Sequence, residues 1–363
     1  MILVNNPGSW SHIYPPLKHA PWHGLTPTDL VFPFFLFAVG NAMAFVMPRL
    51  EAAGDAVFWR KVVKRTLLIF LIGLFLNWWP FVTMKDGEYV FRAWTDPLKP
   101  GSGVRILGVL QRIALCYFFA AIAVYFLKAR KALILGAILL VAYWIICLLA
   151  NPTDPFSLQG WFGTEHVDQP ILGVAHLYKG EGVPFDPEGL ASLVAAIVQV
   201  IIGYGVGYYI QKKGKTADMV NGLFVAGCFM ILAGFCWDMV FPINKKIWTS
   251  SFTIYTAGLA TIVIAVMIYL VEFRQMRGWY MRFFDVFGKN ALFVFALSAF
   301  LPKTLALIKL PGGSNPWNWL YKHVLSKIGG DPRFPSLLYA LTVITLMWLI
   351  CWWMDKRKIY IKV

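Results

Sequence analysis

Stretches of about 20 mostly apolar residues recur along this chain between short polar breaks, and no other feature limits its fold as severely. Bilayer hydrocarbon is about 30 Å thick, and a helix crosses it in about 20 residues. Such runs fall at 28–47, 62–82, 104–127, 131–150, 189–211, 217–240, 248–271, 284–305 and 335–354. The opening Met1-Ile2-Leu3-Val4 turns polar at once and reads as the last turn of a further helix; no signal-peptide pattern is visible. Of 363 residues, 59% are hydrophobic and 14% charged, too apolar a balance for a soluble domain of this size to cover with polar surface. The expected fold is all-α: a polytopic transmembrane helical bundle of about ten helices, the first truncated, forming one domain over 1–363.

The formal charge of +15 suggests nucleic acid only in a soluble protein. Here the cations cluster beside apolar runs, as the positive-inside rule requires. Arg49, Arg60, Lys61, Lys64 and Arg65 flank one break, followed at alternate breaks by Lys128, Arg130 and Lys131, by Lys212, Lys213 and Lys215, by Arg274, Arg277 and Arg282, and by Lys356, Arg357 and Lys358. These breaks are expected in the cytoplasm. The longest intervening loop, 151–188, carries Asp154, Glu165, Asp168, Glu181, Asp186 and Glu188 against Lys179 alone, and is expected outside, with the segment from Asn5 to Asp29. Lys245 and Lys246 dissent mildly, as do Lys303, Lys309, Lys322, Lys327 and Arg333. The five cysteines lie within apolar runs without metal-ligand spacing and read as packing residues; no metal is expected.

Polar groups that a bilayer makes costly are the candidates for function. In Thr26-Pro27-Thr28-Asp29, Thr26 reads as a helix N-cap, Pro27 as the first helical residue and Asp29 as the reciprocal partner of a capping box. His19 has an ordinary pKa near neutrality, and the neighbouring Lys18 charge favours its neutral, basic form; His12 and His23 are rival bases by the same logic. Gln111 and Arg112 lie inside a predicted span, where a guanidinium costs at least ~3 kcal/mol unless paired or hydrated. Arg105, seven residues earlier, is close to two helical turns away, so both can project on one face towards a polar interior. Asn77, Asn221, Asp238, Lys289 and Asn290 sit near helix ends, where capping or snorkelling suffices. Gly203, Gly205 and Gly207 suit a close helix–helix contact. No phosphate-binding loop, dinucleotide fingerprint or serine-hydrolase elbow is present.

The stretch KHAPWHGLTPTDLVFPFFLFAVG at 18–40 closely resembles the signature of the heparan-α-glucosaminide N-acetyltransferase family of transmembrane acyltransferases. Three further blocks agree in order: RILGVLQRIALCYF from Arg105, FDPEGL from Phe185 and PINKKIW from Pro242. The basic tail KRKIYIKV is also similar, and the blocks together cover nearly the whole chain. The family's D-x-x-RG element, carried on a complete first helix, has no counterpart here. The resemblance implies transfer of an acetyl group from cytoplasmic acetyl-CoA, as co-substrate, to the amine of a glucosamine-type sugar across the membrane, with His19 catalytic and Asn5 and Asp29 close to it.

Acetyl transfer to an amine needs a base, donors to the thioester oxyanion and a dry site. His19 is expected to deprotonate the amine or to carry the acetyl group itself. Asp29 is expected to orient the ring, and Asn5 or Trp22 to donate to the oxyanion. Arg60, Lys61, Lys64, Arg65, Arg282 and Lys289 are candidates for the coenzyme phosphates, with Arg105, Gln111, Arg112, Lys245 and Asn290 as further binding residues. Trp161, Phe162, His166, Asp168, His176, Asp186 and Glu188 are candidates for a cationic amino sugar, although an acidic loop is equally what translocation leaves outside. A transporter for an amphipathic or anionic solute is the alternative from another class. The expected setting is a bacterial inner membrane with the His19 loop periplasmic, lipids as surroundings, no nucleic-acid partner, and small-residue and aromatic faces that permit a homodimer.

Overall fold

The computed structural model describes residues 1–85, 88–96, 101–276, 278–310 and 314–361. Arg277, one of the expected cytoplasmic charges, and Lys362 and Val363 of the tail lie outside the described residues. A short helix α1 (Ile2–Asn5) leads through an irregular segment to α2 (Val31–Ala53) and α3 (Asp55–Trp78). A small antiparallel hairpin, β1 (Val82–Lys85) and β2 (Glu88–Phe91), pairs Val82 with Phe91 and Thr83 with Val90. Then come α4 (Val109–Ala150), the short α5 (Gln169–Leu172), α6 (Leu193–Lys213), α7 (Ala217–Asp238), α8 (Ser250–Ile268), α9 (Trp279–Lys289), α10 (Ala291–Leu305), α11 (Pro316–His323) and α12 (Arg333–Lys356).

Leu67, Leu71, Ile138, Phe229 and Leu232 stand exposed on helix surfaces, an arrangement that only a lipid solvent makes favourable. The chain is an all-α integral membrane protein. By length and apolar character, six described helices qualify as spans, or seven if the bent pair α9–α10 counts as one. That is fewer than the expected ten. One reason is α3, whose lower half carries Arg60, Lys61, Lys64 and Arg65. A second is α4, which unites two expected runs, and the third is the opening helix, where α1 has four residues.

α4 is not straight. Arg112 lies 5.2 Å from the ring of Trp248, and the Tyr143 hydroxyl donates to the Ile247 carbonyl at 2.6 Å. Thirty-one residues of straight helix would separate the two by about 46 Å, yet they touch adjacent residues. The chain reverses at Lys128, whose φ of 59° and ψ of 172° are non-helical. Lys128 pairs there with Glu51 at 3.2 Å.

The bundle centre is α2 against α6, with α4 and α8 packed on both. Small residues permit the approach: a Cβ on Gly40 would stand 1.9 Å from the Val200 carbonyl oxygen, and one on Gly203 would stand 2.1 Å from that of Phe37. Gly207 also faces α2, whereas Gly205 faces Leu133 of α4. In a bilayer, where lipid tails compete equally for apolar contact, close backbone packing contributes much of helix association. Gly203→Val is expected to destabilise the protein by about 3 kcal/mol, read as a fall in thermal midpoint in detergent. Gly288→Ala, where a Cβ meets nothing within 4 Å, is the matched control with little change.

Candidate active site

The start of α2 is built as its sequence reads. A 3-10 turn, Pro27–Leu30, precedes the helix, and Thr26 and Asp29 form a reciprocal capping box. Asp29 is 1% exposed and divides its work between two oxygens. Oδ2 accepts from the Thr26 and Ala20 backbone amides at 3.1 and 3.0 Å and from the Thr26 hydroxyl at 3.0 Å. Oδ1 lies 2.6 Å from Nδ1 of His19. Capping and histidine orientation, which compete as explanations in the sequence, are both made by this one side chain.

His19 is half-exposed and lines a cavity of about 310 Å³. With Nδ1 turned to Asp29, the proton is assigned to Nδ1, and Nε2 bonds no described residue. Residues from the N-terminal ends of four helices surround the cavity: Asp29, Val31 and Phe32 at α2; Val109 at α4; Glu188 just before α6; and Lys245, Lys246 and Trp248 just before α8. The positive ends of four helix dipoles therefore meet here, which favours carboxylates beside them.

A second ionic group closes the cavity wall. Arg105 precedes α4 instead of lying within it, so the expected two-turn face shared with Arg112 does not form. Its Nε and Nη2 grip the two Asp186 oxygens at 2.9 and 2.5 Å, Nη2 also binds Glu188, and the guanidinium lies 4.7 Å from the Tyr178 ring centroid. Burial disfavours the charge on both partners, but mutual attraction outweighs it: the Glu188 carboxyl is held below its ordinary range and Arg105 is held more firmly protonated. Arg112, fully buried, reaches the same segment by donating to the Gly189 carbonyl at 2.8 Å and to Ser192. It thereby ties α4 to the start of α6.

Asn5, His19, Trp22, Asp29, Arg105, Glu188 and Lys245 all line this one cavity, and Asp186 supports it from behind. Trp22 cannot serve the expected oxyanion role, because its indole N–H already donates to the Phe156 carbonyl at 2.7 Å. The Asn5 side-chain amide bonds no described residue, while its backbone amide donates to the Met1 carbonyl at 3.0 Å. Asp168, Gln111 and Asn290 are elsewhere. Asp168 caps the approach to α6 by accepting from the Leu190 and Ala191 amides at 2.7 and 3.3 Å. Gln111 donates to the Ile106 carbonyl beside Gly73. Asn290 sits at the 76° bend between α9 and α10, clipped to the tail through the Ile359 carbonyl and the Ile361 amide.

Of the other candidates in the 151–188 loop, Trp161 is buried and His176 is taken by the Val104 carbonyl at 2.7 Å. Tyr178, Glu181, Lys246 and Trp248 line the cavity without having been singled out as ligands by sequence. The signal that could have found Lys246 is its violation of the positive-inside pattern.

Two further cavities share walls in turn. One of about 440 Å³ shares Met1 and Val31 with it and is walled by Phe35, Leu110, Ile113, Phe283 and Phe287. Another of about 330 Å³ shares Phe35, Leu110, Ile113 and Leu292 with that and carries Arg65, Tyr117 and Lys289. The sequence is polar, apolar, basic.

Fold and site together define a helical membrane protein with a carboxylate-oriented histidine at a buried ionic cavity. Two curated relatives are similar to it. The human heparan-alpha-glucosaminide N-acetyltransferase is 26% identical over 348 residues, covering 81% of this chain and 50% of the human protein; the mouse enzyme of the same name is 23% identical over 418 aligned positions, covering 100% of this chain and 58% of its own. The chain thus spans about half the length of the curated relatives it matches. No protein-family model matches the chain.

Burial pushes the Asp168 carboxyl up from 3.8 to about 6, against the pull of the Leu190 and Ala191 amides and of Arg112. The folded protein then holds that proton more tightly than the unfolded chain, so this group's contribution makes stability fall as pH rises through that window. Asp168→Asn, which keeps an acceptor for both amides, is expected to flatten the thermal midpoint over that window. Asp168→Ala is expected to lose about 1–2 kcal/mol. Midpoints measured in detergent across mildly acidic pH check both.

Proposed function

We propose that this chain is a membrane N-acetyltransferase that moves an acetyl group from acetyl-CoA to the amine of a glucosamine-type sugar, with His19 as the base. The observation that carries the reading is the 2.6 Å contact between His19 Nδ1 and a buried Asp29, at a cavity that His19 lines. The names of the two relatives support the same reaction class.

In this reading Nδ1–H donates to Asp29, and Nε2 takes a proton from the acceptor amine. The amine nitrogen then bonds to the thioester carbon, the carbon–sulfur bond breaks, and the departing thiolate takes up a proton. Asn5 and the converging helix N-termini favour the transient oxyanion. Glu188 and Glu181 offer carboxylates to a cationic sugar amine, and Tyr178 and Trp22 offer ring faces. The apolar cavity fits the donor's extended arm, and Arg65 and Lys289 at its far end fit phosphate groups.

The sidedness follows the same line. Counting α3 as a crossing, dividing α4 at Lys128 and taking α9–α10 as one gives nine complete crossings. That arrangement sets the His19 cavity opposite the basic breaks, so the donor enters from the cytoplasm and the acceptor from the other side. A transporter could use the same passage but has no need of an oriented histidine.

The test is purified protein in detergent with labelled acetyl-CoA and a panel of amino sugars. Wild type is expected to form acetylated sugar, and His19→Ala to lose at least about a hundredfold in turnover. A near-normal rate in His19→Ala would remove the base assignment, and absence of product across the panel from folded wild type would remove the reaction.

A further inference from the structure

Lys245 comes from a loop 226 residues away from His19, yet its Nζ lies 3.1 Å from the imidazole Nδ1 and 3.3 Å from Asp29 Oδ1. Both groups therefore meet the same carboxylate oxygen, while Oδ2 is committed to Ala20 and Thr26. From this three-way contact we infer that Lys245 is a positioning residue for His19: it shares Asp29 Oδ1 with the ring and, by its charge, keeps the imidazole in the neutral form with Nε2 open. This rests on the proposed role of His19 as a base and assigns Lys245 to the ring, not to a ligand.

The lysine is held where it is. Asn244 Oδ1 accepts from the Lys246 and Ile247 amides at 2.7 and 3.1 Å, and the Asn244 amide donates to Thr249 Oγ1, the N-cap of α8, at 3.0 Å. Ile243 is fixed by Asp238 at 2.5 Å. The loop that carries Lys245 is thus anchored by the buried Asn244 and Thr249 and by the half-buried Asp238, so the ammonium is aimed by the fold of α7 and α8.

Charge arithmetic explains the effect. Asp29 supplies one negative charge, and Lys245 already balances it. Protonating His19 would place a second cation about 3 Å from the first, and a like charge at such range typically shifts titration by a unit or more. A carboxylate facing histidine alone would instead favour imidazolium. The other charged groups around the ring are Lys18 beside it in sequence and, across the cavity, the amino-bearing Met1, Arg105, Glu181, Glu188 and Lys246. Arg105 is committed to Asp186 and Glu188, and Lys246 to Glu181 at 2.5 Å. Lys245 is the cation in contact with the ring. Burial lowers its own pKa, with Asp29 and Glu188 pulling it back.

The test measures the ring without any substrate. Diethyl pyrocarbonate modifies neutral imidazole, and peptide mass spectrometry reads His19 modification against pH in wild type, Lys245→Met, Lys245→Arg and Lys246→Met. Lys245→Met is expected to move the pH of half-maximal His19 modification upward by about one unit, Lys245→Arg to restore the wild-type curve, and Lys246→Met to leave it in place. His12 and His166, exposed and remote from the contact, serve as internal references for the reagent, and the thermal midpoint in detergent checks folding. If Lys245→Met does not fold, Lys245→Gln supplies the same neutralisation with a polar chain. An unshifted His19 curve in the folded neutral variant overturns the inference, and so does an equal shift in Lys246→Met, which would assign the effect to the cavity's general field. Because no acetyl donor is present, loss of the acetyltransferase reading would leave this result standing.

Discussion

The carboxylate of Asp29 begins one of the central helices with one oxygen and holds a histidine and a lysine with the other. A buried anion is costly unless each lone pair is engaged, and here the engagement reaches across the chain. Through this side chain the irregular segment around His19 and Ala20 and the start of α2 meet the loop before α8, a junction also held by the Gly24 amide donating to the Ile243 carbonyl at 2.8 Å and by Lys246 donating to the Pro21 carbonyl at 2.7 Å.

Around that anchor the bundle gathers the starts of α2, α4, α6 and α8 at one end. Each helix start presents unpaired amides and a partial positive charge, and the acidic residues nearby answer them: Asp29 at α2, Asp168 with Asp186 and Glu188 at α6. The acidity of the long loop is therefore only partly a display to solvent. Asp168 and Asp186 are buried within the fold, and their work is to seat α6 and to hold Arg105. Glu188 and Glu181 remain as the carboxylates that face the cavity.

Sequence and structure diverge where a side chain's partner is distant in the chain. Lys18, adjacent to His19, is the cation that sequence points to, yet Lys245 makes the contact. Trp22 has the right neighbours for an oxyanion donor, but its N–H is spent on Phe156. Gln111 and Asn290 are expensive in a bilayer and thus read as functional, whereas each relieves a local backbone problem, at the start of α4 and at the α9–α10 bend. Intramembrane polarity marks a need for a partner, and the partner is as often backbone as ligand.

The sequence by itself determined the solvent, the class and the local beginnings of helices, because apolar run length and capping chemistry act within a few residues. It placed the Thr26–Asp29 capping box, the break at Lys128 and the polar groups that a membrane makes costly. Only the tertiary structure decided that Arg105 meets Asp186 and Glu188, that α4 turns back on itself, and that a lysine from the loop before α8 sits against the histidine before α2. Those contacts join residues tens to hundreds of positions apart, and they are fixed by which helix faces pack together, a property of the whole bundle that no local pattern carries.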